Sequence, residues 1–219
     1  MSVKQARPPI GSTLEAALAR RIDPRGPTPS ALLECLVELD GIDRAAYRAV
    51  RSTASPTLDV RLAQLSNAAN YSRLWLGVAG ALALLGGRRQ RRAAALGVAA
   101  IGVTSAVVNL VVKPTFVRDR PDQPKATASE VPHVRMPDST SFPSGHAASA
   151  FAFASAVGGE LPAMALPLRV LASAVAYSRV HTGVHYPGDV VAGSIIGAAA
   201  GAVVHHIARR RGPRPLAIT

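Results

Sequence analysis

Residues 93–112 read AAALGVAAIGVTSAVVNLVV. Twenty residues pass without a charge, the length a helix needs to cross the roughly 30 Å hydrocarbon core of a bilayer. This run is predicted as a membrane span. On its N-terminal side lies YSRLWLGVAGALALLGG (71–87), apolar apart from its start, with RRQRR at 88–92 between the two. On its C-terminal side a polar stretch fills 113–142. Three more apolar segments follow: HAASAFAFASAVG (146–158), LPAMALPLRVLASAVAYS (161–178) and VVAGSIIGAAAGAVV (190–204). Each of these three is short or weakly hydrophobic, and taken alone each also fits a buried helix of a soluble protein. Together the five lack an amphipathic period, which favours a membrane bundle over surface helices.

Composition supports that class. Hydrophobic residues make up 48% of the 219 residues, but aromatics only 4%. Small residues supply the apolar surface and let helices approach closely, as membrane bundles require. The net charge is +12, which suits either a nucleic-acid binder or a membrane protein with basic loops. Its distribution decides: arginines cluster at 88–92 and again at 209–211, after the first and last apolar segments. The aromatic interleaving expected for base stacking is missing, so nucleic acid is not an expected partner. With alternating spans the two clusters share one side, which the positive-inside rule makes cytoplasmic. The polar stretch 113–142 and the turn 179–189 then face outward together. Trp75 and Tyr71 are expected at a membrane interface, as are His205 and His206. Cys35 is the single cysteine and says nothing of redox compartment. No cleavable leader and no internal repeat is evident.

Three domains are expected: a loose N-terminal segment at 1–70, a transmembrane domain at 71–208 and a basic tail at 209–219. In the first, STLEAALARR (12–21) is predicted as a short helix capped by Ser12 or Thr13. ALLECLVEL (31–39) and the scattered leucines of 43–69 read as amphipathic helices lying on the membrane or on the bundle.

Three polar pieces fall at the ends of the predicted spans, on one face of the membrane. They are KPTFVRDRP (113–121), PSGH (143–146) and SRVHTGVHYPGD (178–189). Lys113, Arg120 and Arg179 bring three positive charges suited to phosphate oxygens. Pro143 suits the first position of a helix, leaving the N–H groups of Ser144, Gly145 and His146 aimed at an anion. Gly145 lets a ligand approach the backbone. Pro187 likewise suits a first helical position, which puts Asp189 in the first turn, where negative charge is favoured. Asp189 is then placed to hold one ring nitrogen of His185 and leave the other free to attack phosphorus. His146 is placed to protonate the departing oxygen. Arg118, Asp119 and Asp122 read as solvated loop charges. His133 and Arg135 are possible substrate contacts. His181, His185 and Asp189 recur every four residues, but Gly183, Pro187 and Gly188 argue against the unbroken helix a zinc site would need.

The ordered signature K-x6-R-P, P-S-G-H and S-R-x5-H-x3-D resembles that of the type 2 phosphatidic acid phosphatase (PAP2) family. It is filled by Lys113, Arg120, Pro121, Pro143, Ser144, Gly145, His146, Ser178, Arg179, His185 and Asp189. The resemblance covers about residues 70–208. It implies an all-α membrane bundle of about five to six spans with a core like that of the haloperoxidases. It also implies metal-independent hydrolysis of a phosphomonoester or pyrophosphate through a phosphohistidine. By the same resemblance, His185 is nucleophile, Asp189 its orienter and His146 the leaving-group acid, while Lys113, Arg120, Ser144, Gly145 and Arg179 hold the phosphate. No cofactor or metal is expected. The expected partners are a lipid phosphate substrate and the cell membrane, with a multi-pass topology and the site on the extracytoplasmic side. Phosphatidic acid, phosphatidylglycerol phosphate and polyprenyl phosphates or diphosphates stay open as substrates, as does the oligomeric state. The rival readings are a soluble acid phosphatase or vanadate-dependent haloperoxidase of the same superfamily, and a non-catalytic protein that binds anionic lipid.

Overall fold

A computed structural model describes residues 31–53, 55–122, 134, 136–137 and 139–211. The predicted helix at 12–21 lies outside them, as do His133 and Arg135. The chain divides into two compact units, Met1–Ile42 and Asp43–Thr219. In the first, the described residues form the opening half of helix α1 (Ala31–Arg51). The second holds the rest of α1, then α2 (Pro56–Ala68), a 3₁₀ turn at Asn70–Ser72, and α3 (Arg73–Leu85). A long helix α4 (Arg88–Thr115) follows, then α5 (Gly145–Glu160), α6 (Pro162–His181) and α7 (Pro187–Arg211). There is no strand among the described residues.

The sequence explains several of these ends. Ser55 caps α2, its side chain accepting from the Leu58 amide, and Pro56 takes the first helical position. Gly86 and Gly87 break the chain between α3 and α4, and Gln90 Oε1 accepts from the Gly87 amide at 3.1 Å. The arginine run expected as a loop is instead the first turn of α4. Arginine is a good helix former, and here it has work at neighbouring helix ends. Arg91 donates to the Ala83 carbonyl at 3.1 Å, Arg89 to that of Glu160 at 2.9 Å and Arg92 to that of Ala208 at 3.1 Å. Cations thus meet the negative C-terminal ends of α3, α5 and α7. The second basic cluster, Arg209–Arg211, also lies within a helix, the last turn of α7.

Helix α5 is the hub. It packs against α7, α4 and α6, and ten of its sixteen residues are buried, so no face is left for solvent. Trp75 is buried in the core, its ring 5.5 Å from that of Phe153. This corrects the interfacial reading of Trp75: α3 turns the indole inward onto α5, while Tyr71, at its start, stays exposed. The seam between α5 and α7 is made by glycines. A Cβ at Gly193, Gly197 or Gly201 would lie 2.4, 2.0 or 2.3 Å from the carbonyl oxygens of Ser144, Ala148 and Ala152. Nothing larger than hydrogen fits, and the two backbones touch along three turns.

Among the described residues two helices, α4 and α7, are long and apolar enough to cross a membrane. At 1.5 Å per residue their 28 and 25 residues reach about 42 and 38 Å, beyond the roughly 30 Å of a bilayer core. Most of their apolar surface is not covered by protein. Leu110, Val111, Leu166, Val170, Val191 and Ile195 all point outward.

Candidate active site

The three polar pieces meet at one end of the bundle. The first leaves α4 as an extended segment that pairs with residues 139–141. The Ser141 amide donates to the Arg118 carbonyl at 2.8 Å, and the Arg118 amide to Thr140 Oγ1 at 2.8 Å. The second and third pieces join directly, the Ser144 amide donating to the Asp189 carbonyl at 2.9 Å. The first and third meet where Arg120 Nη1 lies 3.3 Å from His185 Nε2 and donates to the Val184 carbonyl at 2.9 Å.

His185 sits in the turn between α6 and α7, only 2% exposed. Its amide, and that of Val184, donate to the Arg179 carbonyl at 3.1 and 3.0 Å. A guanidinium has donors only, so the ring nitrogen facing Arg120 carries the lone pair. The ring proton is then on Nδ1, which lies 3.5 Å from Asp189 Oδ2. That is an ion-pair distance without hydrogen-bond geometry, since Nδ1 has no hydrogen-bond partner. Burial pushes the imidazole down to about 4; Arg179 and Arg120 add to this, and Asp189 opposes it. His185 is therefore neutral at ordinary pH, with its lone pair toward the cations.

Asp189 is fully buried, at the third position of α7. Its Oδ2 accepts from the Tyr186 amide at 2.9 Å, which satisfies a free N–H at the helix start. Ser141 Oγ also donates to Oδ2. Its Oδ1 accepts from Arg118 Nη1 at 2.8 Å. The reading of Arg118 as a solvated charge is thereby corrected. It is half-buried, it also pairs with Asp43 at 2.7 Å, and its guanidinium lies 4.3 Å from the centroid of the Tyr186 ring. Asp119 and Asp122 are exposed. Asp43 accepts in turn from the Gly188 amide at 2.6 Å, so a carboxylate from α1 caps α7.

Arg179 is completely buried at the end of α6. Its Nη1 donates to Ser66 Oγ on α2 at 2.5 Å, while Nε and Nη2 have no protein partner. A buried guanidinium with two idle donors is costly unless an anion completes it. Lys113 Nζ donates to Ser139 Oγ at 2.9 Å, and Arg120 Nε to the Ser139 carbonyl at 2.9 Å. Burial draws Arg120 below its ordinary value, and the charge of Asp189 opposes the shift.

The start of α5 differs from expectation in one respect. Ser144, not Pro143, is the residue at the helix boundary; it is the cap, and its hydroxyl accepts from the Ala147 amide at 3.5 Å. With the Ser144 amide bound to Asp189, the N–H groups left for an anion are those of Gly145 and His146. A Cβ at Gly145 would meet only open space. His146 Nε2 lies 2.9 Å from Asn70 Oδ1, an acceptor, so Nε2 carries the proton of the neutral ring and Nδ1 is left to take up and give a second one. His181 is buried with Nε2 2.6 Å from Asp59 on α2, and Arg51 donates to its carbonyl at 2.6 Å. The chain breaks between His181 and Pro187, so His181, His185 and Asp189 do not share an unbroken helix.

Asp43, Ser66, Asn70, Arg118 and Ser141 were not legible as site residues. All but the last two come from the segment 43–72, which carries no motif.

An imidazole beside a carboxylate, with Arg120 against the ring and a buried Arg179 whose Nε and Nη2 have no protein partner, suits an anion such as phosphate at one end of a helical bundle. The comparisons agree with that reading. Residues 93–213 match the PAP2 superfamily, more than half the chain, and the protein belongs to that superfamily. It is 36% identical over 134 residues to the decaprenylphosphoryl-5-phosphoribose phosphatase of Mycobacterium tuberculosis (strain CDC 1551 / Oshkosh), covering 61% of this chain and 70% of that one. Its fold is similar to the crystal structure of the first transmembrane PAP2 type phosphatidylglycerolphosphate phosphatase from Bacillus subtilis, with a TM-score of 0.63 and 22% identity over 93% of this chain and 96% of that one. It is also similar to the crystal structure of Aquifex aeolicus LpxE, with a TM-score of 0.57 and 24% identity over 74% of this chain and 94% of that one.

Proposed function

We propose that the protein is a membrane-embedded phosphatase that releases phosphate from a lipid-linked phosphomonoester or pyrophosphate, without a metal. The observation that carries this reading is the buried Arg179 with two idle donors, in the same pocket as a neutral imidazole whose lone pair faces Arg120. Phosphate oxygens complete Arg179, Arg120 and Lys113 and accept from the Gly145 and His146 amides. His185 Nε2 attacks phosphorus while Asp189 steadies the Nδ1 proton and the imidazolium that forms. His146 enters this step as the imidazolium, with Nε2–H on Asn70 Oδ1 and Nδ1–H toward the leaving oxygen; the bond from phosphorus to that oxygen breaks in line, and Nδ1 gives it the proton. His146 then takes a proton from water, which attacks the phosphohistidine and frees inorganic phosphate. Five of the helices, α3 to α7, cross or enter the bilayer. Their arginine-capped end faces the cytoplasm and the site faces the other side.

Substrate candidates are phosphatidic acid, phosphatidylglycerol phosphate, polyprenyl phosphates and diphosphates, and polyprenyl-linked sugar phosphates like that named for the mycobacterial relative. The test is phosphate release by the detergent-purified chain in excess EDTA, beside His185→Ala. Release that persists in EDTA and disappears in the variant is expected. Near-normal turnover by His185→Ala would overturn the mechanism, and loss in EDTA would overturn its metal independence.

A further inference from the structure

Beside His146 lies a cavity of about 160 Å³, walled by the 3₁₀ turn before α3, the C-terminal half of α4 and the start of α5. Its polar lining includes Tyr71, Ser72, Thr104, Asn109, His146 and Ser149. None of Lys113, Arg120, Arg179 or His185 lines it. The cavity therefore adjoins the proposed proton donor but is separate from the cations that hold phosphate.

Three features show that this cavity is built. Thr104 is fully buried, yet its Oγ1 has no partner. A helical threonine has a ready acceptor in the carbonyl one turn back, and this one does not use it. Next, α4 widens into a π turn at Val108–Val112 where it lines the cavity, a distortion found mostly at functional sites. Opposite, Tyr71 and Ser72 hold consecutive left-handed conformations, with φ of 54° and 59°. Non-glycine residues do so at a cost that is kept where the geometry is needed.

Size and chemistry narrow the occupant. On the same measure a single water needs roughly 10–15 Å³, so 160 Å³ admits a group of several heavy atoms. It falls short of the roughly 300–1,000 Å³ of sites for larger ligands, so it holds a small group of a lipid and not the whole of one. The lining offers hydroxyls and an amide but no fixed charge, which suits a neutral hydroxylated group and not a second phosphate. Resting on the phosphatase reading, we propose that this cavity is the leaving-group subsite. It takes a neutral, hydroxyl-bearing unit, a glycerol or a sugar, that joins the phosphate to the lipid. When the bond from phosphorus to oxygen breaks, that oxygen receives the His146 proton and departs as one more hydroxyl of the unit.

The test compares kcat/KM for phosphatidylglycerol phosphate, whose leaving group carries a free hydroxyl, with that for phosphatidic acid and farnesyl diphosphate, whose leaving groups carry none. A preference of about tenfold or more for the first is expected from one well-made hydrogen bond. Thr104→Val should erase most of that ratio, and Thr104→Ser should keep it. The Val variant removes an unpartnered buried hydroxyl, so its melting temperature should not fall, which a structural role for Thr104 would not allow. Ser149→Ala supplies a second reading of the ratio if the Val variant does not fold. Equal kcat/KM across the three lipids, or a ratio unmoved by both substitutions, would overturn the subsite and leave the phosphatase reading standing. No release from any lipid would sink that reading and the subsite with it.

Discussion

Arg118→Ala is the substitution whose outcome the geometry specifies most fully. Arg118 Nη1 lies 2.8 Å from Asp189 Oδ1 and 2.7 Å from Asp43 Oδ2. The Asp189 side chain is completely buried and that of Asp43 is 12% exposed. Removing the cation leaves a carboxylate pair facing each other out of water. Breaking a buried ion pair costs about 3–5 kcal/mol. Asp189 keeps its donors from Ser141 and Tyr186, and the Arg118 side chain is itself 23% exposed, so the lower figure applies. About 3 kcal/mol corresponds to a fall of about 6–12 °C in melting temperature for a chain of this size. The effect on chemistry follows from position. Asp189, drawn off its carboxylate site, no longer orients His185, and a displacement of the order of 1 Å at a reacting group costs up to about 100-fold in rate. Thermal unfolding in detergent and phosphate release under saturating substrate measure the two effects. Arg118→Lys should recover part of each, and Arg118→Ala combined with Asp43→Asn should cost less than the sum of the two alone. A melting temperature within about 1 °C of the wild type and an unchanged kcat would refute the reasoning.

Three further outcomes are expected. Gly197→Val places a Cβ 2.0 Å from the Ala148 carbonyl oxygen and should destabilise by at least the 1–3 kcal/mol or so of an overpacked core while abolishing activity; Gly102→Ala, which meets only open space, should be neutral or slightly stabilising, and equal melting temperatures for the two would contradict the seam. An NMR titration of the histidine rings, with His185 assigned by its loss in His185→Ala, should give a midpoint near 4 for that residue. In the proposed mechanism the neutral ring is the attacking form, so activity owed to it is retained above that midpoint and lost as pH falls through it; a midpoint near the unperturbed value of about 6.5 would show the ring to be solvated. Asn70→Ala removes the acceptor 2.9 Å from His146 Nε2 and should lower kcat about tenfold with little change in KM, since general-acid catalysis is worth roughly 10²–10⁴ and orientation is only part of it; a change in KM alone would assign Asn70 to binding instead.

The site was legible where the chain announces its helix ends. Pro187 and Asp189 open α7 as their preferences require, and the same logic placed the start of α5 at Pro143, two positions ahead of Gly145, where it begins. The contacts that complete those residues were not legible. Ser66, Asn70, Asp43 and Asp59 are ordinary polar residues on α1, α2 and the turn that follows, and their partners lie more than seventy positions away. No local spacing encodes such pairs. Arg118 was misjudged because its neighbours Asp119 and Asp122 suggest a solvated loop, whereas its partners come from two distant helices. Trp75 was misjudged because a tryptophan near the start of an apolar helix satisfies either an interface or a core, and only the position of Phe153 decides.

The amide of Ser144 bonded to the carbonyl of Asp189 has a consequence for biosynthesis. The chain makes the turn at Ser144–His146 well before it makes α7, which carries Asp189, and His185 lies just ahead of that helix. Until the glycine stripe of α7 has slid into register against α5, the two halves of the site are unaligned. A nascent chain that has not yet made α7 therefore lacks both Asp189 and the glycine contacts with α5, and the arrangement around His185 waits on that helix.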